Sequence, residues 1–259
     1  MSEQRISTGI AGLDSLLHGG FIKGRTYLLT GDTGTGKTIA CLQLLQQALA
    51  HGEKAVYVTV DERPSEITDS ALSFAWNLQQ PIQDKNLAIL DASPYFTARS
   101  GGTDKGIDPQ KIVPDLSNYV KRLGASLLII DPVTPFILPA EANSSAQDQA
   151  RSLISLIQTQ LSTTNIFTAH FSTRADQDQT CGIEEFLASG AFLLTVKAVG
   201  SSFQRSLTIR KMRGTPVIPG EFPFEIQPNA GIVMLQRNDN GASHVASQSM
   251  FEFFELPDK

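Results

Sequence analysis

Little cysteine, one tryptophan and a shortage of positive charge mark this chain of 259 residues. Its two cysteines, Cys41 and Cys181, give neither a disulfide framework nor a metal-ligand spacing and read as free thiols, Cys41 as plain core packing. Lysine and arginine total 21 against 26 acidic residues, so no global field attracts nucleic acid. No apolar run approaches the ~18 residues of a membrane span, and the opening "MSEQRISTG" lacks the apolar stretch of a signal peptide. A cytoplasmic protein without membrane contact is the expectation. Repeats, low-complexity tracts and linker-like stretches are missing too, so residues 1–259 read as one domain, with a core over about 5–236 and a short C-terminal tail.

What is present starts with "GDTGTGKT" at 31–38, which fits G-x-x-x-x-G-K-[ST] with Gly31, Gly36, Lys37 and Thr38 at the fixed positions. The preceding "RTYLLT" has the composition of a buried strand. The following "TIACLQLLQQALAHG" sets Cys41, Leu44, Leu45, Ala48 and Leu49 at helical spacing, with Gln43, Gln46 and Gln47 expected to face away and Gly52 to stop the helix. Strand, loop and helix in that order are the context a phosphate-binding loop needs. Gly31, Gly34 and Gly36, with Thr33 and Thr35 between them, let backbone N–H groups converge on phosphates at a helix N-terminus. Lys37 adds a point charge for the β- and γ-phosphates, and the Thr38 hydroxyl can ligate Mg²⁺.

Beyond the loop, "KAVYVTV" (54–60), "NLAILDA" (86–92), "SLLIID" (126–131) and "NIFTAH" (165–170) read as strands. Helices are predicted between them over 63–78, from near Asp108-Pro109, and over about 145–163 with Leu153, Ile154, Leu156, Ile157 and Leu161 inward. Such alternation marks a parallel sheet covered on both faces. From Gly190 the pattern changes to strands joined by turns: "GAFLLTVKAV", "RSLTIRKM", "FPFEIQ" and "GIVMLQ". The predicted fold is α/β, a mainly parallel sheet flanked by helices, with C-terminal β-hairpins.

Two carboxylate positions complete a nucleotide site. Asp131 ends an aliphatic strand, and so sits at the sheet edge where ligands of open α/β folds bind; there it can hold Mg²⁺, directly or through water, opposite Thr38. Asp61 and Glu62 follow the strand "KAVYVTV" directly, where a carboxylate can activate water; their mutual repulsion would raise the proton affinity of one. On spacing alone they read equally as a solvated acidic turn leading into a helix.

The stretches "RISTGIAGLDSLLHGGFIKGRTYLLTGDTGTGKT", "YVTVDERPSEI", "SFAWNL", "IIDPVTPF", "GIEEF" and "RKMRGTPVIPGEFPFEI" resemble, in order, the KaiC family of RecA-type ATPases. The likeness runs from about Arg5 to about Leu235, and Lys-x-Arg-Gly followed by Gly-Glu-aromatic-Pro-Phe is its most specific part. The resemblance implies a RecA-like P-loop core that binds ATP and Mg²⁺ and hydrolyses ATP. It makes Glu62 the residue that activates water, with Asp61 where the family has a first Glu. It assigns phosphate and magnesium contacts to Lys37, Thr38 and Asp131. It further implies that Lys211 and Arg213 reach a neighbour's γ-phosphate in a hexameric ring, in which a regulatory protein partner also has a role. One such domain is present here, whereas circadian clock KaiC proteins carry two.

Other readings follow from particular residues. Adjacent Ser144 and Ser145 read as helix caps rather than autophosphorylation sites. His170 ends a strand where related ATPases carry a γ-phosphate sensor, and reads equally as a hydrogen-bonded structural residue. A recombination accessory protein on the same core would need basic loops for single-stranded DNA. Here "PVTPFILPAEANSS" has no base, and "FSTRADQDQTCGIEEF" sets Arg174 against Asp176, Asp178, Glu184 and Glu185, so nucleic-acid binding is disfavoured. A nucleotide-dependent scaffold without catalysis shares every binding residue and differs only at Asp61 and Glu62.

Overall fold

A computed structural model describes residues 4–94, 109–137, 146–170, 188–218, 220–236 and 244–245. Ser144, Ser145, Cys181, Arg174 and the acidic residues around it, and most of both candidate DNA loops lie outside the described residues. Ten strands form one sheet in the order β12-β11-β10-β9-β8-β3-β7-β6-β4-β5. Its parallel half comprises β3 (Thr26–Gly31), β4 (Ala55–Thr59), β5 (Leu87–Asp91), β6 (Leu127–Asp131), β7 (Thr164–His170) and β8 (Gly190–Val199). From β8 the chain turns antiparallel through β9 (Ser202–Met212), β10 (Glu221–Gln227), β11 (Gly231–Gln236) and β12 (His244–Val245). β12 carries the sheet beyond the expected core limit near 236. A separate two-stranded sheet pairs β1 (Arg5–Ile6) with β2 (Phe21–Ile22), and the short α1 (Leu13–Leu16) lies between them.

The aliphatic runs are uninterrupted because both faces of the parallel half are covered. On one face Tyr27, Leu29, Tyr57, Leu127, Ile129 and Ile166 pack under α2 (Lys37–Ala50) and α3 (Pro64–Leu72). On the other, Leu28, Val56, Val58, Leu128, Ile130 and Phe167 pack under α5 (Pro109–Leu123), α6 (Thr134–Ile137) and α7 (Ala146–Gln160). Cutting one of these fully buried side chains back to Ala costs about 2–5 kcal/mol.

Two helices differ from expectation. α3 stops at Leu72 rather than running to Leu78. Trp76 N–H reaches the Ala71 carbonyl and Ala75 N–H the Leu72 carbonyl, with Ala75 at φ 61: a left-handed stop built on alanine, which carries no glycine signal. A separate short α4 (Gln79–Gln83) follows. In α7, Leu153, Ile154 and Ile157 are buried and Leu156 only half so.

A third departure is Gln43 on α2, which faces inward and is 6% exposed. Its amide donates to the carbonyls of Gly9, Ala230 and Ile232 and accepts from Ile232 N–H. The N-terminal segment and the β10–β11 turn wrap this flank of α2, so its polar stripe is covered for much of its length. Gln46 and Gln47 are half-buried there too, Gln47 donating to Ser7 Oγ.

Candidate functional site

The C-terminal ends of the parallel strands bring the sequence-predicted groups together. Register aligns Thr59 of β4 with Asp131 of β6, and Gly31 of β3 with both His170 of β7 and Leu194 of β8. These ends open into a cavity of ≈ 410 Å³. Thr33, Gly34, Gly36, Lys37, Thr38, Asp61, Glu62, Asp131 and His170 line it. Two loop residues contribute otherwise. Gly31 permits close approach, since a Cβ there would meet the Leu194 carbonyl at 2.3 Å. Thr35 turns inward, its hydroxyl donating to the Asp32 carbonyl at 2.8 Å.

Lys37 begins α2 after Gly36, whose φ of 106 suits glycine. Its ammonium donates to the carbonyls of Gly31 (2.7 Å) and Asp32 (2.9 Å). Burial lowers its pKa, with the charges of Asp131 and Asp32 opposing. An anion entering the cavity would therefore be met by a cation held short of full solvation, at the positive end of a 14-residue helix.

Asp131 is 8% exposed and accepts a hydrogen bond at each oxygen. Tyr57 Oη donates to Oδ2 at 2.7 Å, and the Thr168 hydroxyl donates to Oδ1. Burial, with Asp131 next, pushes the Tyr57 phenol well above its ordinary range, so it stays a donor. The carboxylate is thus oriented by two groups that the sequence reading missed. Among the described residues no group of three or more His, Cys, Asp or Glu side chains is placed to hold a metal ion by itself. A carboxylate and a hydroxyl are the sparse, hard donor set that Mg²⁺ takes alongside phosphate oxygens and waters, so Thr38 and Asp131 fit that ion.

Glu62 is anchored through its backbone: Thr59 Oγ1 donates to the Glu62 carbonyl at 2.8 Å and accepts from its N–H at 3.3 Å. Pro64 starts α3 and the Glu66 carboxylate accepts Arg63 N–H at 2.7 Å, which fixes the turn that presents Glu62. The Glu62 carboxyl is raised above its ordinary value. Sequence reasoning attributes this to the adjacent Asp61; here burial comes first, then Asp131, then Glu66, with Asp61 last. Asp61 itself is exposed.

A further cation joins from the antiparallel half. Arg205 of β9, paired with Val196 of β8 and Phe224 of β10, lines the cavity beside Ile226. Its Nε is buried with no hydrogen-bond partner among the described residues. A donor in that state matches an anionic ligand rather than a packed interior. Lys211 and Arg213 do not join it. They lie at the opposite end of β9, where Ala191 pairs with Lys211, and neither lines the cavity. A register shift between Ala191 and Phe192 separates the two ends: Leu207, Ile209 and then Met212 enter the core, leaving Lys211 half-exposed and Arg213 exposed. Cys41 is buried in α2 with its thiol pushed well up by burial, as a packing residue should be.

A model of the KaiC ATPase family matches residues 6–239. The chain belongs to the KaiC family. It is 33% identical over 258 residues to the circadian clock oscillator protein KaiC 1 of Synechocystis sp., a match covering 96% of this chain and 49% of that protein. The circadian clock oscillator protein KaiC of Acaryochloris marina is 32% identical over 259 residues, 96% of this chain and 48% of that protein. The chain thus spans about half the length of these curated KaiC relatives. Among solved structures, a KaiC-like protein of Pyrococcus horikoshii superimposes with a TM-score of 0.75 at 31% identity, covering 90% of this chain and 99% of that one. Family and fold together make this a nucleotide-binding RecA-type ATPase domain. Among the described residues no helix is long and apolar enough to cross a membrane.

Proposed function

We propose that this chain hydrolyses ATP to ADP and phosphate at the interfaces of a closed ring, a hexamer, and that it serves in the cytoplasm as a regulatory or signalling ATPase with a protein partner. The observation that carries the ring is the division of β9. Arg205 faces the chain's own cavity, while Lys211 and Arg213 lie six and eight positions further on, roughly 20 Å or more along an extended strand. Side chains that far from the phosphate loop serve no nucleotide bound in the same chain. A neighbour's nucleotide gives them a task, and a heterologous interface supplies each subunit with one cavity and one pair of cations.

In this reading the backbone N–H groups of the 31–38 loop and Lys37 hold the phosphates. Thr38 and Asp131 would hold Mg²⁺, which neutralises charge on the β- and γ-phosphate oxygens when bound. Tyr57 and Thr168 keep the Asp131 oxygens aimed. Glu62 accepts a proton from water in line with the γ-phosphorus as the bond to the leaving ADP oxygen breaks; its raised proton affinity suits it to that transfer. Asp61 supports the field at the turn, His170 senses the γ-phosphate, and Arg205 braces the phosphates from the same chain. Lys211 and Arg213 of the adjacent subunit stabilise charge in the transition state.

The test mixes two inactive variants, Glu62→Gln and Arg213→Ala. Random mixed rings have about a quarter of their interfaces with both wild-type residues. ATPase activity should return on mixing to a comparable share of wild type. No recovery despite proven subunit exchange, or full activity in a strict monomer, overturns the ring.

A further inference from the structure

The turn that carries the far cations is held by two arginines from the other end of the chain. Arg25 stands at the foot of the central strand β3, with its own carbonyl engaged by Asn165 N–H at 2.9 Å. From that fixed base its Nη1 donates to the Arg213 carbonyl at 2.9 Å. Arg5 acts from the β1–β2 ribbon: its Nη1 donates to the carbonyls of Leu17 and Gly20, and its Nη2 to Thr215 Oγ1 at 3.0 Å. Arg213 N–H meets the Ser189 carbonyl at 2.7 Å, and Gly214 between the braced residues has φ +76. A Cβ on Gly214 would lie 2.9 Å from Arg25 Nη1, so the guanidinium lies directly against the turn.

We propose that Arg25 is a positioning residue for catalysis in the neighbouring subunit: it sets the 211–215 turn so that Lys211 and Arg213 project at the height a neighbour's γ-phosphate requires, with Arg5 as the second brace. Arg25 touches no reacting atom. Its carbonyl is tied into the sheet and its guanidinium to the turn, so it transmits the position of β3 to the cations. A cation that misses its phosphate by about 1 Å loses on the order of 100-fold in rate. The inference rests on the ring reading above.

The experiment uses the full chain and four variants, Arg25→Ala, Arg25→Lys, Gly214→Ala and Arg213→Ala. Nucleotide affinity in the variant's own cavity is read with Mg²⁺-ATP in a Glu62→Gln background, and turnover in the assembled state. Arg25→Ala should keep the affinity and shift the Tm by no more than about 2–4 °C, yet lose about 10- to 100-fold in kcat. Arg25→Lys, which keeps charge and one donor, should regain part of that loss. Gly214→Ala, which displaces the guanidinium from the other side, should reproduce it. In mixing, Arg25→Ala should be rescued by Glu62→Gln subunits, whose 211–215 turn is intact, and not by Arg213→Ala subunits. Rescue by Arg213→Ala, or a wild-type kcat for Arg25→Ala while the Glu62→Gln and Arg213→Ala pair recovers, overturns this inference alone. Failure of that last pair overturns the ring reading and the inference with it.

Discussion

At the cavity end of β9, Arg205 shares a pocket with the phosphate loop, Glu62 and Asp131; at the far end, Lys211 and Arg213 stand on a turn held by Arg5 and Arg25. The cavity end is built from the parallel half of the sheet. Strand register brings its groups together, and hydrogen bonds within the chain orient them, as with Tyr57 and Thr168 on Asp131. The far end is also braced by hydrogen bonds within the chain, yet presents its cations away from that cavity. On the proposed reading the two ends of one strand support half-sites of different kinds, and their separation is what argues for a second copy of the chain.

The sharpest way to break this comparison is to disable one end at a time. Lys37→Ala should abolish nucleotide binding at micromolar concentration, because Lys37 is the side-chain cation of the loop and reaches its floor. A Lys37→Ala subunit should still lend its far end, so mixing it with Arg213→Ala should restore turnover. Retained tight binding, measured by equilibrium titration, would mean that the loop is not the phosphate site.

Glu62→Gln should lower turnover by about 10²–10⁴-fold while leaving Mg²⁺-ATP binding intact, since shape is kept and the base is lost. Wild-type turnover should also fall as pH drops through the raised pKa of Glu62, on an acid limb displaced upward from that of an ordinary glutamate, because the base works only when ionised. Initial rates across pH check this, and the limb should vanish from the residual activity of Glu62→Gln. Turnover near the wild-type level in that variant would transfer the role to Asp61 or another carboxylate.

The smallest effect tests the two ends of β9 against each other. Arg205→Gln should weaken nucleotide binding by about 10-fold or somewhat more, the loss of one charge-assisted hydrogen bond, and should leave the far end's service to a neighbour unchanged. Titration of the variant and its rescue of Arg213→Ala subunits measure the two halves of that statement. A failure to rescue would mean that Arg205 also shapes the 211–215 turn.

Much of the cavity end was legible in the sequence because its signals are local. A glycine-rich loop between strand and helix, and an aliphatic run ending in a carboxylate, need only their neighbours to be read. Gln43 reads as outward for the same reason: helical periodicity describes one element and carries no information about the segments that cover it. Ala75 ends α3 in a left-handed conformation that alanine does not advertise. The proximity of Asp61 and Glu62 points to a raised proton affinity but not to its origin, because burial is a tertiary property and the charge of Asp131 comes from a strand 69 residues away in numbering (131 − 62). Arg205 and Thr168 stand in strands already rich in polar residues, "SFQRSLTIRKM" and "TNIFTAH", so nothing in either stretch singles them out as site residues.

By itself the sequence determined the α/β order, the phosphate loop and the carboxylates at strand ends, since period, composition and short-range spacing are properties of contiguous residues. Only the tertiary structure decided which of these groups share a cavity and which do not. Strand order brings Asp131 beside Thr59 and Arg205 over the loop, and a one-residue bulge in β9 sends Met212 inward and leaves Lys211 and Arg213 at the surface. Side chains alternate faces along a strand, so a single inserted residue reverses every position after it, and that reversal is visible only once the partner strand is in register.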